Sequence, residues 1–460
     1  MQLLIFNQVG HEYSRHLLDS VLMNGQIVMP GVKAVQASAI LIIFALPALM
    51  NTALWLLAVS LAILGLVIMA FNPFLSDACG SPPLPKAGRV LVLGLGIYAI
   101  THLTMNLYHG NTVAEWSRVV LPLLCLAGAM ALHVRQPKAS WMWIGLSIGA
   151  LPLGFLAIVE RLLGVDRAGN HGPLDAILFG NIGLLAGLLC LAGLGWAWAR
   201  PRRWRWCVAL LTGAAGGFIA SALSGSRGGW IALPFALVIF NLGLVRWLPA
   251  SRRTVFWFSV MGVLVAIYAF PHTGVQDRIG VTLGEVTHYL SGEEVDTGSV
   301  SLRLDMWSGA ARLVKESPVL GHGEAGYDEG MRRLMGKMGL EPGILQFYHA
   351  HNDLLDAWAK AGLPGLLTLL MLYALPIVLF RSGLANPDPA SRSLAMAGVL
   401  LSVCFMSFGV TYSFFYFPVG IAVYCSWLMV IWNLHQQAAE SLPVNQSEHG
   451  RHGMSRRLGS

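Results

Sequence analysis

Tyr348-His349-Ala350-His351-Asn352-Asp353 puts two imidazoles, an amide and a carboxylate directly ahead of a long apolar run. His349 and His351 are two residues apart, which places them on one side of an extended chain. A neutral imidazole near pH 7 suits a general base. Asp353, Asp356 and Lys360 follow on one face of the next helix, with Asp356 and Lys360 spaced as an i,i+4 ion pair; either aspartate could orient a histidine or simply sit at an interface. A metal would need a third and a fourth ligand at usable spacing. The sequence supplies no recognisable set, so neither a metal nor a cofactor is expected.

A second group of residues suits an anion. Ser224-Gly225-Ser226-Arg227-Gly228-Gly229-Trp230 reads as a turn before an apolar helix. Its glycines allow close backbone approach, its hydroxyls donate, and the helix start offers free amides. An arginine opposes the helix dipole there unless an anion lies between them, so Arg227 points to a phosphate-bearing ligand; the alternative is an anchor snorkelling to water. Arg303 repeats the pattern at the start of a polar helix. Arg118, Arg161 and Arg167 lie on neighbouring loops, where they either join a diphosphate clamp or act as boundary anchors.

The elements that must position these groups are membrane helices. The chain has 460 residues, of which 55% are hydrophobic and 12% charged, and its mean hydropathy is +0.62. Such a composition lies outside the soluble range. The apolar runs are of helix-spanning length rather than the short alternating segments of a barrel, so the expected fold is all-α and polytopic, with about twelve transmembrane helices. These centre on Ile42, Leu61, Ile97, Leu126, Gly149, Leu185, Leu211, Ala236, Leu264, Leu369, Val403 and Val423. Glycines inside the spans, such as Gly183, Gly187, Gly213, Gly216 and Gly217, suit close helix packing.

Charge asymmetry sets the orientation. With the amino terminus inside, the inner loops hold Lys86, Arg89, Arg135, Lys138, Arg200, Arg202, Arg203, Arg205, Arg246, Arg252, Arg253, Arg381 and Arg392. The short outer loops hold Arg118, Arg161, Arg167 and Arg227. Thirteen against four is the positive-inside bias of a membrane protein, and it accounts for the net charge of +7 without nucleic-acid binding. The expected organisation is a cytoplasmic leader over 1–33, nine spans over 34–271, a periplasmic segment over 272–352, three spans over 353–435 and a cytoplasmic tail over 436–460. The leader carries Glu12, Arg15 and Asp19 and has no signal-peptide core. The six cysteines lie in or beside apolar helices and imply no disulfide framework.

The outer segment carries two helical patterns. Leu302, Met306, Ala310 and Leu313 share one face of a helix that Ser299 or Ser301 could cap and that Pro318 and Gly321 close. Tyr327, Met331, Leu334, Met335 and Met338 share another, opposite Arg332, Arg333 and Lys337. That helix either lies at the membrane interface or over a site, or packs on its neighbours in a small outer domain.

His351-Asn352, followed nine residues later by Gly362 and then by Gly365, resembles the histidine motif of the lipopolysaccharide O-antigen ligases, at the end of their large periplasmic loop. Ser226-Arg227-Gly228 is similar to that family's outer-loop arginine. Ser301-Leu302-Arg303, with Trp307, Pro318 and Gly321 after it, resembles its loop arginine. The resemblance extends from about Arg118 to Leu375. It implies a metal-independent, inverting glycosyltransferase of the bacterial inner membrane, multi-pass, with both termini cytoplasmic. The donor would be O-antigen polysaccharide on undecaprenyl diphosphate and the acceptor a sugar hydroxyl of lipid A–core. His351 would be the base and Arg227 and Arg303 the diphosphate ligands, assisted by Arg118, Arg161, Arg167, His349 and Asn352. O-antigen polymerases and protein O-oligosaccharyltransferases of the same superfamily share this architecture. A lipid-linked sugar transporter is the alternative of a different class, although transporters usually place their charges near the bilayer midplane.

Overall fold

The computed structural model describes residues 30–45, 85–134, 137–170, 175–269 and 299–440. The expected span at Leu61, the leader up to residue 29, positions 270–298 of the outer segment and the tail after residue 440 lie outside the described residues. Those that are described form helices and turns only.

In chain order the helices are α1 (Pro30–Ala45), α2 (Lys86–His109), α3 (Ser117–Val134), α4 (Ser140–Leu162), α5 (Ala176–Trp198), α6 (Arg203–Leu223), α7 (Gly228–Trp247) and α8 (Ala250–Ala269). After them come α9 (Ser299–Glu316), α10 (Gly323–Met338), α11 (Asp353–Phe380), α12 (Pro389–Phe408) and α13 (Pro418–Glu440). Among the described residues, eight helices are long and apolar enough to cross a membrane: α2, α4, α5, α6, α7, α11, α12 and α13. Gln36–Ala45 and Ser117–Ala129 are shorter apolar helices. Many apolar side chains face outward, among them Leu93, Ile100, Phe155 and Phe258. Such a surface matches an apolar surround, in which helices satisfy their backbone groups without water.

α12 and α13 form the centre and are almost wholly buried, while α4, α5 and α6 pack together as a block beside them. Close approach there depends on glycine. A Cβ added at Gly154 of α4 would sit 2.6 Å from Gly216 Cα of α6.

The outer helices α9 and α10 build a second small core with the start of α11, from Met306, Ala310, Leu313, Tyr327, Met331, Leu334, Ile344 and Ala359. Of the two expectations for α10, packing on neighbours is the one observed. Arg333 reinforces it by pairing with Glu316 of α9. Two glycines dock this unit on the membrane helices. Gly321 (φ +71) and Gly362 (φ +64) lie back to back, and a Cβ on Gly321 would come within 2.6 Å of Gly362 N. Leu363 N–H donates to Pro318 O at 3.0 Å and His322 N–H to Ala359 O at 2.9 Å across the same contact.

Candidate active site

The site begins where the outer unit meets α11. Asn352 is the N-cap: its side-chain oxygen accepts from Leu354 N–H and Leu355 N–H, both at 3.0 Å. Its other groups face the turn over 409–417, with the backbone N–H donating to Ser413 Oγ (3.1 Å) and the amide to Val410 O (3.0 Å). Asp353, fully enclosed, accepts from Tyr373 Oη and Phe415 N–H, both at 2.9 Å. Residues 352 and 353 thus fasten the turn between α12 and α13 beside the histidines.

His351 is not extended. Its φ of +50 lies in the left-handed region, unusual for a residue other than glycine and characteristic of constrained functional positions. The bend stacks the two imidazoles, with centroids 4.3 Å apart and planes 20° from parallel. Tyr412 meets both edge-on, at 5.3 Å from His349 and 5.0 Å from His351. Tyr416 and Phe417 pack on His349, and Phe347 on His351. Tyr412 Oη donates to Asp175 Oδ2 at 2.6 Å, and Asp175 is the N-cap of α5, so the aromatic cage is held from a third element.

His351 N–H donates to His349 Nδ1 at 3.3 Å, which leaves the His349 proton on Nε2. His351 Nδ1 is buried and has no hydrogen-bond partner among the described residues. Burial, followed by the Arg303 charge, lowers the His351 pKa to about 3. Burial, followed by the neighbouring His351 and Lys360, also pushes His349 well down. Both rings are therefore neutral at physiological pH.

Not all of the cations converge on this cage. Arg303 acts on His351, as above. Arg167 donates from Nε to Ser224 O at 3.0 Å, so it lies on the turn that carries Arg227. Arg227 is exposed, and the next residue, Gly228, is held so tightly against Thr411 that any side chain there would overlap it. The Arg227 turn therefore abuts the Tyr412 turn, and the Arg167 charge reaches Tyr412 itself, whose pKa burial raises. Arg161 is turned into its own loop, donating to Val165 O and Asp166 O.

Arg118 lies in a different layer. Its guanidinium meets Glu324 (2.6 Å), Glu115 (3.4 Å) and Asp356 (3.8 Å) and donates to Phe415 O at 3.0 Å. Lys360 joins the cluster through Glu324 (2.7 Å) and the expected i,i+4 pair with Asp356 (3.1 Å), and it also donates to Tyr348 O at 2.7 Å. The Tyr416 ring stands between this layer and His349, 4.4 Å from Lys360 Nζ. Burial pushes the Glu324 carboxyl up, but Lys360 and Arg118 outweigh it and hold it down at about 2. Burial and the Glu324 charge push Glu115 up to about 7.

Tyr412, Tyr416, Asp175 and Glu324 were not apparent as site residues from the sequence. The turn over 409–417 carries no charge and reads as a continuation of apolar helix. Its one sequence signal is the cluster of hydroxyls and rings in Thr411-Tyr412-Ser413-Phe414-Phe415-Tyr416-Phe417. Among the described residues, no group of three or more His, Cys, Asp or Glu is placed to hold a metal ion.

Helices of membrane-spanning length with a desolvated imidazole pair and cations at one end of the bundle define a multi-pass membrane protein with an enzyme-like polar site. Residues 213–370 match the family model described as O-antigen ligase. The match includes Arg227, Arg303, His349, His351, Asn352 and Gly362, so the family resemblance read from those residues is shown over this stretch. An uncharacterized protein of Haemophilus influenzae (strain ATCC 51907 / DSM 11121 / KW20 / Rd) is 29% identical over 197 residues, 43% of this chain and 49% of that protein. The match thus spans about half the length of that relative.

Proposed function

We propose that this chain is an O-antigen ligase. It transfers polysaccharide from undecaprenyl diphosphate to a sugar hydroxyl of lipid A–core at the periplasmic face of the bacterial inner membrane. The observation that carries the reading is the His351 imidazole, buried, held neutral and within reach of the Arg303 charge, inside the stretch that matches the O-antigen ligase family.

The acceptor oxygen attacks the anomeric carbon as the bond to the diphosphate oxygen breaks, inverting that carbon. The electron pair leaves with the diphosphate, and the hydroxyl proton passes to His351. Burial and the Arg303 charge make this imidazole a weak base. A bound diphosphate offsets the Arg303 charge, so the base strengthens only when the donor is present. A positioned base contributes about 10²–10⁴-fold, and cations fixed on the leaving group contribute a comparable electrostatic term. Arg303, with Arg227 and Arg167 on the adjoining turn, supplies those cations. His349 and Asn352 position the base: the first by stacking and accepting the His351 N–H, the second by fixing the start of α11. Arg118 supports the cage from behind, because its charge is already matched by carboxylates. No metal enters the scheme: face-to-face rings do not converge on one ion, and the diphosphate is already a good leaving group.

A strain lacking the chain, complemented with wild type or His351→Ala, tests the assignment by lipopolysaccharide gel and by analysis of carrier-linked glycan. The expected result for His351→Ala is bare lipid A–core with polymer accumulating on the carrier. A single repeat on lipid A–core would make the protein a polymerase. Unchanged lipopolysaccharide with unglycosylated envelope proteins would make it a protein glycosyltransferase. Movement of carrier-linked sugar without a new glycosidic bond would make it a transporter.

A further inference from the structure

The amides around the histidines are bound by side chains rather than by secondary structure. Ala350 N–H donates to Asp356 Oδ1 at 3.0 Å, His351 N–H to His349 Nδ1 at 3.3 Å and Asn352 N–H to Ser413 Oγ at 3.1 Å. Among the described residues none of the three meets a backbone carbonyl, so the acceptor side chains decide where the imidazoles stand. Something must hold them, because the left-handed backbone of His351 (φ +50) is unfavourable for a residue with a Cβ. Asp356 and its partner Lys360 are charged, buried and without a part in the transfer scheme.

Both lie in the first turns of α11, alongside the chain that leads into it. Asp356 binds the Ala350 N–H after His349, and Lys360 Nζ donates to Tyr348 O before it, at 2.7 Å, so the pair brackets His349. Lys360 has three protons and three oxygens to receive them: Tyr348 O, Glu324 Oε2 at 2.7 Å and Asp356 Oδ1 at 3.1 Å. The Tyr416 and Tyr327 rings enclose the ammonium at 4.4 Å and 5.0 Å. A compact point charge with three donors fits there, and Glu324 of α10 ties it to the outer unit.

Charge alone does not account for Asp356. The buried layer sets three carboxylates, Glu115, Glu324 and Asp356, against two cations, Arg118 and Lys360, one carboxylate more than balance requires. Arg118 meets Glu324 at 2.6 Å but Asp356 only at 3.8 Å. What Asp356 adds is the bond to Ala350, which acts on the backbone between the two histidines.

We propose that Asp356 and Lys360 are positioning residues: they hold the backbone on either side of His349 and so keep the His351 imidazole placed for proton transfer. Their effect on rate rests on the glycosyl-transfer reading; their hold on the segment does not.

Purified full-length protein is measured for amide hydrogen exchange in peptides covering residues 348–352 and for single-turnover transfer from undecaprenyl-diphosphate-linked glycan to lipid A–core, with donor affinity alongside. Asp356→Leu removes the acceptor. It should speed exchange there by about tenfold, the worth of one hydrogen bond, and slow transfer by about 10²-fold, the usual result of a misplacement of about 1 Å, with donor affinity unchanged. Asp356→Asn keeps an oxygen for Ala350 N–H and leaves two carboxylates for two cations, so it should restore both readouts to within about fivefold of wild type. Gly339→Ala, which is strained away from the site, should move neither. Asp356→Ala carries the same test if Asp356→Leu fails to fold, and protection of residues 348–352 in wild type needs no variant. Free-chain exchange there in wild type would overturn the proposal. So would an Asp356→Asn as slow as Asp356→Leu, an equal slowing in Gly339→Ala, or wild-type transfer by Asp356→Leu while His351→Ala is inactive. Wild-type transfer by His351→Ala, with exchange altered as expected, would instead overturn the glycosyl-transfer reading and leave the hold on the segment standing.

Discussion

His351 combines a left-handed backbone with a desolvated ring, and both have measurable consequences. Its pKa is about 3 when folded against 6.5 when unfolded. Between those values the unfolded chain binds a proton that the folded chain refuses. Its contribution to stability is therefore complete above 6.5 and is lost as pH falls towards 3. The melting temperature of wild type should fall more steeply than that of His351→Gln between about pH 7 and about pH 4; parallel curves would mean that the ring is not held neutral. Tyr412→Phe keeps the ring against both imidazoles and removes the bond to Asp175. It should cost about 1.5–3 kcal/mol, the usual worth of a hydrogen bond to a charged group, and should reduce transfer less than His351→Ala does. The imidazoles and Arg303 were legible in the sequence because polar groups in an apolar chain stand out. Tyr412 and Asp175 were not: an aromatic in an apolar run looks like core, and its partner lies 237 residues away.

Among the elements, the junction of the outer unit with α11 explains the spacing of the histidine motif. Gly362 has φ +64 and ψ −164, a region open essentially to glycine alone, and its missing side chain makes room for the backbone at Val319 and Leu320. Gly339 also has a positive φ, +65, but faces open space. Gly362→Ala should therefore cost about 1–3 kcal/mol from conformation alone, with the steric overlap added, whereas Gly339→Ala should cost about 1–2 kcal/mol. Thermal denaturation of the two variants separates the effects, and equal losses would mean that the docking contact is not tight. The helices themselves were readable, since Leu302, Met306, Ala310 and Leu313 mark one buried face. Whether α10 packs on α9 or on a membrane was not readable, because either burial uses the same apolar stripe.

At the scale of the whole molecule, hydropathy was enough to establish the all-helical membrane architecture, because lipid forces every backbone group into an internal bond. Helix partners depended on contacts such as Gly154 with Gly216, which the sequence shows only as two more small residues. The buried layer of Arg118, Lys360, Glu115, Glu324 and Asp356 joins the turn before α3, α3 itself, α10 and α11 behind the histidine cage. Lys360→Met leaves Glu324 and Asp356 short of a cation and should destabilise the protein by about 3–5 kcal/mol, seen as lost folded yield. The central claim is that His351 takes the acceptor proton while the arginines hold the donor. It is tested most directly by single-turnover transfer from undecaprenyl-diphosphate-linked glycan to lipid A–core by purified protein, with donor affinity measured in parallel. His351→Ala should slow the transfer step by about 10²–10⁴-fold and leave donor affinity nearly unchanged; an equal loss of both, or transfer at the wild-type rate, would contradict the account.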